Sequence, residues 1–226
     1  MASDRYSKGE AIRFGWEAMK NNFVFFLLFL IVAWVVSGGL SALGSINRGS
    51  GLTVFPFIFG VLGWLVGILI SMAQTTIGLR LSAAPEATAE VSDVWSSWGL
   101  FLNYFVGGIL VGLMVMVGFI FCIIPGIYLG IRFSFFGYLI IDRNIGPVEA
   151  IKRSWEITSG NTWDLFLLGL LFFGIILLGV LACVVGLFAA IPTTMVAHAY
   201  VYRRLEYGAV SGQVPQAPET VSSPEA

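Results

Sequence analysis

Two long stretches without charge restrict the fold of this chain more than any other feature. Neither residues 94–131 nor residues 165–202 contain Asp, Glu, Lys or Arg. A single helix over either stretch would be roughly 57 Å long, about twice the thickness of the hydrocarbon core of a bilayer. Each stretch therefore predicts two membrane crossings joined by a turn, since backbone polar groups in lipid must be bonded within helices.

The composition agrees with a chain that is dissolved in lipid. Hydrophobic residues make up 58% of the 226 positions and charged residues 11%, whereas soluble domains are about a quarter charged. A net charge of −1 leaves no basic surface for nucleic acid. We expect one membrane domain over residues 1–206 and a disordered cytoplasmic tail over 207–226, which is rich in Pro, Ser, Gln and Ala.

Six crossings fit both the apolar stretches and the placement of the basic residues. The predicted spans are 23–43, 52–79, 104–124, 127–141 and two within 165–202, with breaks at Pro125-Gly126 and near Val185-Gly186. With both termini in the cytoplasm, Arg48 is the only basic residue in an external loop. An excess of Lys and Arg on the cytoplasmic side is what orients membrane proteins. The cytoplasmic basic residues are then Arg5, Lys8, Arg13, Lys20, Arg80, Arg143, Lys152, Arg153, Arg203 and Arg204.

A short segment that precedes an apolar stretch occurs almost twice. Residues 10–17 (EAIRFGWE) return as residues 149–156 (EAIKRSWE), and residues 94–98 (VWSSW) are a weaker copy. Such a repeat predicts three copies of one unit, over about 7–80, 88–143 and 146–205. The predicted fold is an all-α integral membrane protein. Its six transmembrane helices form three hairpins, each preceded by a cytoplasmic amphipathic helix in the membrane interface.

Each predicted interfacial helix carries a start signal or an apolar face. Ser7 and Glu10 have the spacing of a capping box, and the later copy begins at Pro147, a favourable first helical residue. The three apolar faces are Ile12, Trp16 and Met19; Val91, Val94 and Trp98; and Val148, Ile151 and Trp155.

Trp16, Trp98 and Trp155 are the predicted interfacial anchors, because tryptophan prefers the boundary between lipid and water. Two interpretations of their helices remain open. The helices either only brace the bundle, or they also form a surface for lipid head groups or a soluble partner.

Glycines spaced by four residues occur in three of the predicted spans. The pairs are Gly63 and Gly67, Gly108 and Gly112, and Gly126 and Gly130. Small residues at this spacing let helices approach closely in lipid. They predict contacts between the helices of one chain, with a homodimer face as the alternative.

Arg132 is the one charged residue that falls inside a predicted span, and no predicted span contains Asp or Glu to pair with it. A buried arginine is costly in lipid, so its side chain either extends to the head groups or bonds to carbonyl groups. The functional alternative is a contact with a lipid phosphate or an anionic substrate. Arg132 is therefore the candidate lipid- or anion-contact residue.

Four polar side chains lie toward the inner ends of the second and sixth spans and predict a possible polar entrance: Gln74, Thr75, Thr194 and His198. The alternative is that they bond to neighbouring helices. The chain has no cluster of metal ligands, no phosphate-binding glycine loop and no nucleophile motif. We therefore expect no metal, no cofactor and no enzymatic activity.

Two motifs resemble a large, poorly characterised group of prokaryotic membrane proteins. They are residues 125–134 (PGIYLGIRFS) and residues 146–156 (GPVEAIKRSWE), the latter followed by Gly160-Asn161. Some members of that group are fused to glycerophosphodiester phosphodiesterase domains. The resemblance implies a six-span protein of the bacterial inner membrane. It does not imply catalysis, because that chemistry belongs to a separate soluble domain.

The function expected from these features is a non-enzymatic inner-membrane protein. It would organise lipids, a cytoplasmic partner or copies of itself through its interfacial helices. The alternative is a transporter or exporter of a small, anionic or lipid-like substrate.

Overall fold

The chain is entirely α-helical over the residues that a computed structural model describes, which are 7–46, 54–83, 97–181 and 185–211. No β-strand occurs within those residues. A single 3₁₀ turn, Trp98–Leu100, precedes the fourth helix. The helices are α1 (Lys8–Asn21), α2 (Phe23–Ile46), α3 (Val54–Ala83), α4 (Phe101–Phe121), α5 (Ile123–Arg132), α6 (Phe136–Arg143), α7 (Pro147–Thr158), α8 (Thr162–Leu181) and α9 (Val185–Ser211).

Five segments of the described chain are long and apolar enough to cross a membrane. They are Phe23–Gly44, Phe57–Ala83, Trp98–Phe121, Ile123–Arg143 and Thr162–Leu181. Their large apolar side chains point outward, with Trp34 78% and Phe121 82% exposed. Apolar surface of this extent suits lipid rather than water. The chain is therefore a helical membrane protein.

The sixth predicted span corresponds to α9, which is not among those five segments. The first half of α9 is apolar, and polar side chains such as Thr193 and His198 follow Pro192. The prediction of a sixth crossing therefore stays a prediction.

The predicted break at Pro125-Gly126 is displaced in the structure. Cys122 has an extended backbone between α4 and α5, so the chain turns there. Pro125 instead lies in the first turn of α5, where its missing N–H leaves no helical bond unmade. Residues 133–135 then separate α5 from α6, so the fourth predicted span consists of two short helices.

The last helix extends past the predicted start of the tail. It continues through Tyr207 to Ser211, and residues 212–226 lie outside the described part of the chain.

Buried side chains gather at one end of the bundle, which we call the packed end. It contains the last turns of α3, the start of α4, α6, the start of α8 and the second half of α9. Leu79, Tyr104, Leu139, Leu168 and Val201 belong to its core. The remaining lengths of α2, α3, α4 and α8, which we call the open half, expose most of their apolar side chains.

Most of the paired glycines do not bring helices together. A Cβ atom added to Gly63, Gly67, Gly108, Gly112 or Gly130 would meet no atom of the described residues within 4 Å. The predicted contacts within one chain are therefore wrong at these five positions, and the alternative of a homodimer face stays a prediction. Only Gly126 packs closely, against the ring of Phe119, and Gly118 lies opposite it in α4.

The first predicted interfacial helix, α1, begins after Ser7, as the sequence predicts, but the Ser7 side chain forms no capping hydrogen bond. The predicted capping box is therefore absent. The buried face of α1 consists of Ala11, Gly15, Ala18 and Met19. Of the predicted apolar face, Met19 is buried, whereas Trp16 is 45% exposed. Small residues occupy the buried face because they let the backbone of α1 lie directly on α9.

The later copy begins at Pro147, as predicted, and it buries the same positions as the first. Ala11 and Ala150 are both fully buried, and Gly15 and Ser154 are buried at the matching position. In the middle copy, Val91 and Val94 of the predicted face lie outside the described residues, whereas Ser97 is buried and Trp98 is exposed.

Replacing Gly15 with alanine should destabilise the protein. The new Cβ would collide with the carbonyl oxygen of Thr193, and overpacking of this kind costs about 1–3 kcal/mol. Gly9→Ala in the same helix is the control, because its Cβ would meet only Ser7 Oγ at 3.9 Å. Removing that helical glycine should leave stability unchanged or raise it by up to about 1 kcal/mol.

Unfolding in mixtures of bicelles and SDS measures both variants. Equal stabilities for Gly15→Ala and Gly9→Ala would contradict the close contact between α1 and α9.

Candidate functional site

Arg132 lies at the end of α5 and is only 6% exposed. Its Nη1 donates hydrogen bonds to the carbonyl oxygen of Trp155 at 3.1 Å and to Thr158 Oγ1 at 3.5 Å. Its guanidinium carbon lies 4.0 Å from the centroid of the Trp155 ring and 5.5 Å from that of Tyr128. The last turn of α7 thus surrounds the charge.

This arrangement solvates a cation without a carboxylate. The last carbonyl groups of a helix have no partner within the helix and carry its negative partial charge. An aromatic face adds about 0.5–2 kcal/mol of attraction for a cation. Of the two predicted structural alternatives, the geometry matches carbonyl bonding. A role for Arg132 in contacting a lipid phosphate or an anionic substrate stays a prediction.

The helix α7 also covers the junction between α5 and α6. Ser154 Oγ donates a 2.8 Å hydrogen bond to the carbonyl oxygen of Arg132 and accepts a 3.3 Å bond from the N–H of Phe135. Thr158 Oγ1 also lies 3.3 Å from that carbonyl oxygen. Backbone groups that the break leaves unpaired are therefore bonded by side chains of α7.

The residue before each predicted anchor tryptophan is small and buried. Gly15 packs on the carbonyl group of Thr193 in α9. Ser97, which is 6% exposed, shares a 3.0 Å hydrogen bond with Thr76 of α3. Ser154 binds the α5–α6 junction. Each of these residues thus contacts a different long helix or helix pair.

The three tryptophans that follow these residues are turned outward. Trp16 is 45%, Trp98 53% and Trp155 38% exposed. Their rings are therefore available to surrounding lipid or to a partner, although Trp155 also stacks with Arg132.

Three of the four residues of the predicted polar entrance line one cavity. Gln74, Thr75 and His198 border a cavity of about 270 Å³ between α3, α4, α6 and α9. Thr194 does not line it, because its hydroxyl group bonds to the carbonyl oxygens of Ala190 and Ile191 within α9. The other polar side chains of the cavity are Ser71, Tyr104, Ser134 and Tyr138.

Hydrogen bonds organise this polar cavity. Ser71 Oγ lies 2.9 Å from Tyr104 OH, and His198 Nδ1 lies 3.3 Å from Tyr138 OH. The amide of Gln74 bonds to no atom of the described residues. None of the described side chains that line the cavity is Asp, Glu, Lys or Arg. The cavity therefore offers donors and acceptors without a fixed charge.

Sequence patterns did not identify Ser71, Tyr104 or Tyr138 as site residues. For the two tyrosines the sequence held a weak indication of a polar site, because a tyrosine that is buried within an apolar stretch needs a hydrogen-bond partner. Tyr104 and Tyr138 are each 8% exposed, and each finds its partner in the cavity.

An ionic cluster that the sequence did not predict joins α6, α7 and α9. Glu206 is 2% exposed and accepts hydrogen bonds from Arg143 Nη2 at 3.0 Å and Arg153 Nε at 3.2 Å. Asp142 Oδ2 accepts a 2.9 Å bond from the Tyr207 hydroxyl group. Burial and this bond raise the pKa of Tyr207 above its ordinary value, so the phenol stays a donor.

Comparisons with known proteins find relatives that are themselves uncharacterised. Residues 109–208 match a family described as Protein of unknown function (DUF975). The chain is 33% identical over 113 residues to uncharacterized proteins of Mycobacterium bovis and Mycobacterium tuberculosis. Each match covers 50% of this chain and 35% of the relative, so the chain spans about a third of the curated relatives' length. No solved structure matches.

These matches support the expected likeness to a poorly characterised prokaryotic family. The likeness to proteins fused with glycerophosphodiester phosphodiesterase domains stays a prediction.

A double-mutant cycle should detect the coupling between Arg132 and Trp155. Arg132→Met removes the cation, and Trp155→Leu removes the ring but keeps the backbone carbonyl group that accepts from Arg132. We expect a coupling of about 0.5–2 kcal/mol in the free energy of unfolding, because the ring and the cation attract only when both are present. Additive effects of the two substitutions would refute the stacking.

Proposed function

We propose that the chain is a non-enzymatic protein of a bacterial inner membrane that engages membrane lipid through tryptophan-bearing interfacial helices. It has six spans in three units, with both termini in the cytoplasm. The observation that carries this proposal is the common placement of Gly15, Ser97 and Ser154. Each is buried against another helix, and the tryptophan after it is exposed.

The contacts of these three residues follow the order of the predicted units. Ser97 belongs to the second unit and bonds to α3, the second predicted span of the first unit. Ser154 belongs to the third unit and bonds to α5 and α6, which form the second span of the second unit. Gly15 of the first unit packs on α9, the second span of the third unit. The three contacts therefore close a cycle, which supports a threefold internal repeat.

This cycle also supports a sixth crossing. In the third unit α9 takes the place that α3 and the α5–α6 pair have in the other two. A unit with two spans returns the chain to the side on which it started. Trp16, Trp98 and Trp155 then share the cytoplasmic side, where most basic residues also lie.

The role of the interfacial helices follows from their two faces. The buried face braces the packed end, and the exposed face carries a half-exposed tryptophan beside charged residues such as Arg13 and Lys152. A flat aromatic ring beside charged side chains suits the head-group region of a bilayer. A cytoplasmic protein or a second copy of the chain is the other class of partner that these faces suit.

Depth-dependent quenching tests this function. Each tryptophan is kept as the only one in a variant whose other tryptophans are phenylalanine, and the protein is reconstituted in vesicles of brominated phosphatidylcholine. Trp16, Trp98 and Trp155 should be quenched most by bromine near the glycerol backbone. Trp34 in the middle of α2 is the control and should be quenched most by bromine near the chain ends.

Cysteine labelling tests the sidedness separately. Cysteines placed at Lys20 and Glu156 should react with a membrane-impermeant reagent from the same side. Reaction from opposite sides, or deep quenching of Trp16 and Trp155, would overturn the proposal.

A second candidate function is transport of a small or lipid-like substrate. The observation that favours it is the cavity that brings Gln74, Thr75 and His198 together. Flux of a substrate across proteoliposomes that Gln74→Met abolishes in a folded protein would support transport over the first proposal.

A further inference from the structure

A groove between α3 and α4 adjoins the polar cavity. The groove has a volume of about 540 Å³ and shares Ser71, Tyr104 and Phe136 with the cavity. The shared side chains lie between the two spaces, with Ser71 Oγ 2.9 Å from Tyr104 OH. A ligand that spans both would have an apolar end in the groove and a polar end in the cavity, about 16 Å apart along α3 from Gly63 to Gln74.

The apolar end is shaped by missing side chains and by aromatic rings. Gly63, Gly67 and Gly108 line it, and a Cβ atom on any of them would meet no atom of the described part of the chain within 4 Å. The rings of Trp64 and Phe105 pack edge to face at 5.4 Å and form its wall. The groove opens onto the exposed apolar surface of two membrane-crossing helices, so a lipid chain reaches it directly from the bilayer.

The polar end selects by hydrogen bonding rather than by charge. Gln74 presents an amide without a partner among the described residues. The hydroxyl groups of Tyr104 and Tyr138, which bond to Ser71 and His198, line the same cavity. A ligand head that carries several oxygen atoms can use these separate donors and acceptors.

A charged head group does not suit this end. None of the described lining side chains is Lys or Arg, so a phosphate group would lose its hydration without gaining a cation. Arg132 does not compensate, because its guanidinium group is turned onto Trp155 and Thr158 of α7.

We propose that this groove and cavity bind a neutral glycerolipid, with an acyl chain along Gly63, Gly67 and Gly108 and the uncharged glycerol head against Gln74. The proposal rests on the placement of α3 and α4 in the membrane that the proposed function includes. It adds to that function a specific lipid and a site that is separate from the interfacial tryptophans.

Photolabelling of the full-length protein tests the proposal. The protein is placed in phosphatidylcholine nanodiscs with a diacylglycerol that carries a diazirine in one acyl chain. Labelled peptides should include the groove residues Trp64 and Ile109. Excess dioleoylglycerol should lower this labelling about tenfold, whereas the same excess of dioleoylphosphatidylglycerol or oleyl alcohol should change it less than about twofold.

Two variants on α4 provide a matched pair. Gly108→Leu places a side chain in the groove and should abolish the labelling, whereas Gly112→Leu lies one turn away, does not line the groove and should preserve it. Gln74→Met keeps the volume of the side chain but removes its amide, so it should reduce the preference for dioleoylglycerol. Melting temperature and monodispersity in detergent identify any variant that fails to fold.

Equal competition by all lipids would show ordinary contact with the bilayer and would overturn the proposal, as would equal labelling of Gly108→Leu and Gly112→Leu. The proposed function is tested by a different measurement, the depth of Trp16 and Trp155 in the bilayer, and it fails if these tryptophans lie deep. Selective labelling together with deeply placed tryptophans would refute that function while leaving the lipid site intact.

Discussion

The rest of the structure depends on the packing of two short helices against irregular backbone. The helix α7 packs on the junction between α5 and α6, and α1 packs on α9 near Pro192. The backbone is interrupted between α5 and α6, and α9 contains Pro192, which cannot donate a hydrogen bond. In lipid a break such as that between α5 and α6 is tolerated only where protein covers it. Ser154 of α7 covers the first, and Gly15 of α1 lies against Thr193, directly after the second. The burial of Arg132 depends on the first of these contacts, because Trp155 and Thr158 of the same helix α7 enclose its guanidinium group.

Two polar systems are kept apart within this end of the molecule. Arg132 is enclosed by the carbonyl and aromatic groups of α7, and Glu206 is paired with Arg143 and Arg153. The cavity at Gln74 has only neutral hydrogen-bonding groups among its described lining, apart from the imidazole of His198. These charged groups have their contacts outside the cavity, so its described lining offers hydrogen-bonding groups without a carboxylate, ammonium or guanidinium group.

Sequence periodicity predicted where most helices lie and missed which of their faces pack. The start of α7 at Pro147 was predicted correctly because proline is favoured at a first helical position. Hydrophobicity did not show that the neighbouring face with Ala11 and Gly15 is the one that packs on protein, because lipid and protein interior are equally apolar. Residue size does distinguish the face that packs on protein from the face that meets lipid, and the small residues Ala11 and Gly15 lie in the contact of α1 with α9. Size alone is insufficient, however, since Gly63 and Gly67 look equivalent in the sequence and border open space.

The unequal packing along the bundle has a mechanical consequence. Helices that are firmly joined at the packed end and loosely joined elsewhere can change their tilt in the open half at low cost, as helices do when their hydrophobic length and the bilayer thickness differ. The groove between α3 and α4 lies at the boundary between these regimes. A change of tilt in the open half would alter the width of this groove, so a thinner or thicker bilayer would change the space between α3 and α4.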